Sequence, residues 1–166
     1  MAITSADIEF RLTGGAANTD PLLSLGGAQS SQIVTSGTLF STVTGAQASA
    51  GRTRYRGITL RNGHATLTYQ SAGVWIGTDT PSADTDADVA LAVEAVNVTM
   101  ATIATETTAP TSVTFTNAAV SLATMLAIGD IPATQFKGFW VKNVINAAAA
   151  PVNDSFTINV TGDSAP

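Results

Sequence analysis

Residues 136–145, FKGFWVKNVI, and residues 155–161, SFTINVT, decide the fold. In the first stretch Phe139 and Val141 share one side of an extended chain while Trp140 and Lys142 share the other. In the second, Phe156, Ile158 and Val160 line one face and alternate with Thr157 and Asn159. A period of two marks a pleated strand, because successive side chains point to opposite faces. Between the two lie Ala147 to Ala150, Pro151 and Asn153-Asp154, small and turn-forming residues, so the pair is expected to form an antiparallel hairpin.

The same alternation recurs upstream. Ile8, Phe10 and Leu12 alternate with Glu9 and Arg11 ahead of Gly14-Gly15, and Leu67 and Tyr69 alternate with Thr66 and Thr68. Val74, Trp75 and Ile76 mark another strand, and Val89, Leu91 and Val93 the next. Within residues 52–61, Tyr55 falls on one parity and Ile58 and Leu60 on the other, which predicts a bulge near Gly57. Asn62-Gly63 is expected to make a tight hairpin turn with positive φ. Short strands are expected at 39–43 and 113–115, a small-residue loop at 45–51 and an acidic loop at 78–88. The stretch 94–110 suits either strand or helical turn, and 118–126 is the one helix candidate. Residues 13–36 lose the pattern and read as a long irregular arm or loop. The fold class is therefore all-β, an antiparallel β-sandwich or jelly roll in a single domain over 1–166, with that N-terminal arm or loop.

Composition agrees. The 166 residues include 26 Thr, a residue suited to a half-exposed sheet, and only 11% are charged against 45% apolar. The chain is long enough for one domain with a real core. A net charge of -5 argues against nucleic acid, whose phosphates are gripped by clustered Lys and Arg. The absence of Cys excludes disulfides, thiolate zinc sites and thiol catalysis. MAITSADIEF has neither a basic nor an apolar run, and no stretch approaches the length of a membrane span, so a soluble chain without a secretion signal and without a membrane partner is expected.

Motifs for chemistry are sparse. His64 is the one histidine, beside Asn62-Gly63, and reads as an exposed turn residue; no G-x-S-x-G, G-x-G-x-x-G or phosphate-binding loop occurs. Asp84, Asp86 and Asp88, with Asp79, space their carboxylates as a calcium loop begins, but Val89 stands where such a loop needs Gly and Ala95 where it needs Glu. An acidic solvated loop is the plainer reading. No catalytic residue, metal site or cofactor is expected. Tyr55, Tyr69, Trp75 and Trp140 would stack on a sugar if they faced solvent together, and otherwise belong to the core or a subunit interface. Asn97, Asn153 and Asn159 match N-x-[ST] as chance allows in a Thr-rich chain. The concentrated positive feature is Arg52, Arg54, Arg56 and Arg61, four of seven basic residues, read as a solvated sheet face or as a contact for an acidic protein partner.

Residues 10–31, FRLTGGAANTDPLLSLGGAQSS, and 48–62, ASAGRTRYRGITLRN, together with FKGFWVKN at 136–143 and NDSFTINVTGD at 153–163, resemble small virion structural proteins of tailed bacteriophages. Within that class the chain is similar to capsid decoration, or cement, proteins. The resemblance implies a non-enzymatic role: binding the major capsid protein on the outer surface of the head after assembly in the host cytoplasm, as a homo-oligomer with a trimer favoured. It has no residue set to transfer. The expected contacts are Arg52, Arg54, Arg56 and Arg61, with Asn18, Asp20 and Pro21 on the arm. A neck, tail or baseplate component is the nearest alternative, and a carbohydrate- or host-surface-binding module the one from a different class.

Overall fold

Thr, Tyr, Ile and Val favour extended backbone, and their alternation is realised as nine strands in the computed structural model, which describes residues 2–79, 84–116, 120–150 and 154–164. These are β1 (Ile8–Leu12), β2 (Gly26–Gly27), β3 (Arg52–Asn62), β4 (Tyr69–Asp79), β5 (Thr85–Leu91), β6 (Met100–Thr102), β7 (Leu126–Ile131), β8 (Phe136–Ile145) and β9 (Phe156–Ser164). One sheet has the order β1-β3-β8-β5, a second the order β7-β4-β9, and β2 with β6 makes a two-stranded ribbon. Every pairing is antiparallel. The two larger sheets pack face to face, so the all-β sandwich expected from the alternation is what forms.

The main core lies between them. Ile58 and Leu60 of β3, Val89 of β5 and Phe139 and Val141 of β8 meet Val74 and Ile76 of β4 and Ile131 of β7. Trp140, pointing the opposite way on β8, is also buried, in a second cluster with Ala92, Met100 and Ile103. The four-stranded sheet is thus covered on both faces. Its outer cover is built from 13–33 and 92–116, which meet at the β2–β6 ribbon.

That cover is the fate of the irregular N-terminal stretch. Gly57 N–H donates to Ser24 O at 2.8 Å, Thr13 Oγ1 to Gly57 O at 2.6 Å, and Ile103 N–H to Leu25 O at 2.9 Å. Val34 N–H bonds Phe10 O at 2.8 Å, and Ile33 bridges Arg11. Residues 13–36 therefore follow the body as a loop and do not project from it as an arm.

Several local expectations fail for identifiable reasons. The 136–145 and 155–161 strands are not a hairpin: β3 and β5 already fill both edges of β8, and β9 lies in the other sheet. Asn62-Gly63 is likewise a crossing between sheets, without positive φ at either residue. The buried Asn62 side chain braces it, donating to Leu67 O at 2.8 Å and Ile131 O at 2.9 Å and accepting from His64 N–H at 3.0 Å. No bulge interrupts β3 at Gly57, since its register with β8 is continuous from Arg52 to Arg61. Both faces of β3 are covered, so neither parity had to be flipped.

The helix expected at 118–126 is absent from its described part, which holds a short 3-10 turn at Leu122–Thr124 and the start of β7; residues 117–119 lie outside the described residues. A short α-helix, α1 (Gly45–Ala50), instead occupies the expected small-residue loop, because Thr44 and Gln47 make a reciprocal capping box. Residues 39–43 and 113–115 form no strand; Thr116 makes an isolated bridge to Val89. Most of the expected acidic loop is strand, with Asp79 ending β4 and Asp86 and Asp88 on β5, while 80–83 lie outside the described residues.

The cover sits close to β3 because glycine allows it. Gly26 has φ +87, and a Cβ there would lie 1.9 Å from Ala101 O; one on Gly57 would lie 3.0 Å from Gly26 N. Gly26→Ala is expected to destabilise the domain by about 2 kcal/mol or more, combining positive-φ strain with forced separation of β2 from β6. Urea unfolding followed by tryptophan fluorescence measures it, since Trp140 lies under that cover.

Candidate functional site

With β3 regular, Arg52, Arg54 and Arg56 share a face with Ile58 and Leu60, and that face looks inward. Arg54 is 4% exposed and Arg56 1%. A buried guanidinium needs acceptors for its fork of N–H groups, and the fold supplies most of them, leaving Arg52 Nε and Arg54 Nε buried without one. Arg54 donates to Ser41 O at 2.6 Å and Asn143 Oδ1 at 2.7 Å. Arg56 donates to Leu39 O at 3.1 Å, to Tyr55 O at 3.1 Å, and to Glu106 Oε2. Arg52 reaches the other oxygen of Glu106 at 2.5 Å. The Phe40 ring lies 5.0 Å from the Arg54 guanidinium carbon and 5.4 Å from that of Arg56. Tyr55 N–H holds Glu106 O at 2.7 Å, which fixes the loop that presents the carboxylate.

Burial opposes the charge on Glu106, but the bonds from Arg56 and then Arg52 outweigh it and hold the carboxyl below its ordinary range. Arg54 has no carboxylate of its own, and burial lowers its pKa, with the charge of Glu106 partly opposing.

The expected exposed contact at Arg54 and Arg56 is therefore corrected: both are buried inside the sandwich. Arg61, on the other parity, pairs with Glu9 at 3.1 Å, and Glu9 also takes Arg11 at 2.8 Å. Burial works against the Glu9 charge, yet these two bonds leave its carboxyl below the usual range. Asn18, Asp20 and Pro21 build a turn. Asn18 Nδ2 donates to Thr13 O at 2.6 Å, its Oδ1 accepts from Asp20 N–H at 2.9 Å, and Asp20 Oδ1 caps Leu22 N–H at 2.8 Å at the start of the 3-10 turn Pro21–Leu23. The turn leaves Leu22 and Leu23 exposed.

A cleft of about 1130 Å³ opens at one end of the sandwich, lined by Phe10, Phe40, Arg54, Asp79, Asp154 and Phe156 among others. Burial, then the charges of Asp86, Asp154 and Asp88, raise the Asp79 carboxyl above its ordinary value. Asp88 is buried and paired with Lys142, which sits 5.5 Å from the Phe115 ring. Among the described residues no group of three or more His, Cys, Asp or Glu is arranged to hold a metal ion. His64 is half-buried in its turn, where Nδ1 accepts from Leu67 N–H at 3.0 Å and Thr66 N–H at 3.2 Å. Trp140 and Tyr69 are buried, Trp75 packs partly buried on the main core, and Tyr55 tilts against Phe115 at 5.4 Å. Asn97 and Asn159 are described, and Asn153 lies outside the described residues.

What the sequence pattern missed is apolar exposure on the cover. Leu23 is 58% exposed, Ile33 55% and Val93 59%, with Leu22 and Val98 beside them in chain order. Burial parity alone has no signal for this, because these residues lie on irregular segments. Glu106 had a faint one: it is the sole acid between Glu94 and Asp130, and three arginines on one strand face need a counter-charge.

Because the Glu106 carboxyl is held low, its stabilising effect is present above the ordinary carboxylate range and is lost as pH falls through the folded value. Glu106→Gln is expected to cost about 2 kcal/mol near pH 7 and to flatten the loss of thermal midpoint that the unaltered protein shows below about pH 4. Calorimetry from pH 7 to pH 3 checks both; an equally steep acid limb in the variant would remove this ion pair from the account.

No family model, curated protein or solved structure matches the chain.

Proposed function

We propose that this chain is a non-enzymatic structural protein of a tailed-bacteriophage virion, a decoration protein that binds the major capsid protein on the outside of the head as a small homo-oligomer. The observation that carries the reading is the cover layer. It is irregular in backbone yet tied by hydrogen bonds to the central strand, and it presents Leu22, Leu23, Ile33, Val93 and Val98 to solvent. Apolar side chains displayed on a rigid support suit a protein contact, because little ordering is needed when a partner covers them. Repetition over a symmetric lattice multiplies a modest contact into firm attachment. The net charge of -5 suits a position outside packaged DNA.

The contact passes from the arginines to this apolar set, since Arg54 and Arg56 are enclosed. Replacing both with Glu, a natural test for an exposed basic face, is expected to prevent folding. The carbohydrate alternative loses support from the burial of Trp140, which removes one wall of the stacking platform it would need.

Leu23→Asp combined with Val93→Asp should leave circular dichroism and thermal midpoint nearly unchanged, because both positions are more than half exposed. On purified heads of the phage encoding the chain, copies per particle are expected to fall about tenfold or more, as for loss of central apolar contacts. Quantitative mass spectrometry of particles reads the number. Equal occupancy with the doubly altered chain would discard this contact, and absence of the unaltered chain from particles would discard the function.

A further inference from the structure

The sandwich is uneven: four strands face three. β9 pairs with β4 along one side, and among the described residues no strand lies along the other. Its inward side chains Phe156, Ile158 and Val160 are only half-buried, whereas Val74 and Ile76 beside them on β4 are 0% and 3% exposed. The core is unfinished at this margin. The other margins are guarded. β1 carries Glu9 and Arg11 and is bridged by Ile33; β5 carries Asp86 and Asp88 and is bridged by Thr116; β7 is short and holds Gly129 and Asp130. Soluble proteins protect open edges with such charges, prolines and bulges. β9 runs nine residues with no Lys or Pro and one charge, Asp163, and the two register shifts in its pairing with β4 place the extra residues on β4.

We propose that β9 pairs with β9 of a second copy, antiparallel about a two-fold axis at Asn159, so that two three-stranded sheets join into one. The strand is complementary to itself in this register. Ile158 then faces Val160, Thr157 faces Thr161, and Phe156 faces Gly162, whose side-chain space the Tyr69 ring of the same copy fills. Asp163 faces Ser155, so no like charges stand opposite each other. The outer face of the joined sheet, Thr157, Asn159 and Thr161, stays polar, while the inner apolar row becomes continuous across the axis. Open backbone N–H and C=O groups on each edge are satisfied by the other, as in strand addition generally. The contact is isologous and closes at two copies. It does not depend on attachment to a capsid, and its test uses the purified chain alone.

The chain has no Cys, so a single introduced thiol reports without background. Asn159→Cys places two thiols on the axis and should form a disulfide-linked dimer under mild oxidation at least about tenfold faster than Thr107→Cys, an exposed control elsewhere. A mixture of Thr157→Cys and Thr161→Cys chains should cross-link to each other faster than either does to itself, which fixes the register. Light scattering should give a concentration-dependent dimer for the unaltered chain and loss of it, by about tenfold or more in Kd, for Asn159→Lys, which sets like charges face to face. A monomer at every concentration, an Asn159→Cys rate no greater than the control, or a trimer that Asn159→Cys fails to trap would each overturn the pairing.

Discussion

The carboxylate of Glu106, set against Arg56 and Arg52, is the interaction on which the remaining architecture turns. β3 runs in unbroken register between β1 and β8, and that regularity sends three arginines to the same side as Ile58 and Leu60. Charge in that position is costly unless it is neutralised and bonded. One acid does the first part for Arg52 and Arg56. Backbone carbonyls at Leu39 and Ser41, the Asn143 amide and the Phe40 ring do the second. Two stretches of irregular chain, around residue 40 and around residue 106, owe their positions to this demand.

The strands themselves were largely legible. Ile8–Leu12 is read to the residue from its alternation, and β3, β8 and β9 fall close to where period-two patterning puts them, whereas β5 begins at Thr85, inside the expected acidic loop, and ends at Leu91, short of Val93. Pairing was not legible. Adjacent strands in a chain usually pair, but β8 and β9, like β3 and β4, lie in opposite sheets because their neighbours on the sheet come from distant sequence. Alternation reports which face a residue takes and says nothing of which strand lies alongside.

The candidate site was misread for a related reason. Arginine at alternate positions looks like a wet face, and only the continuous register with β8 reveals that this face is the interior. Glu106 stands fifty residues from Arg56, with no local pattern to connect them. The second layer outside β8 was hidden too: Trp140 alternates with Phe139 as an outward residue should, yet both are buried because 92–116 and 13–33 fold over them.

The cover also has a bearing on how force would travel. Ser24 O and the Thr13 hydroxyl both bond Gly57, near the middle of β3, and Asp20 and Asn18 stiffen the turn that ends in Leu23. A pull applied at Leu23 has little slack to take up before it loads the central strand, and β3 shares that load with β1 and β8 through ladders on both sides. The irregular segment thus acts as a short, stiff tether, and tension arriving from outside is spread across a whole sheet before any single bond must yield.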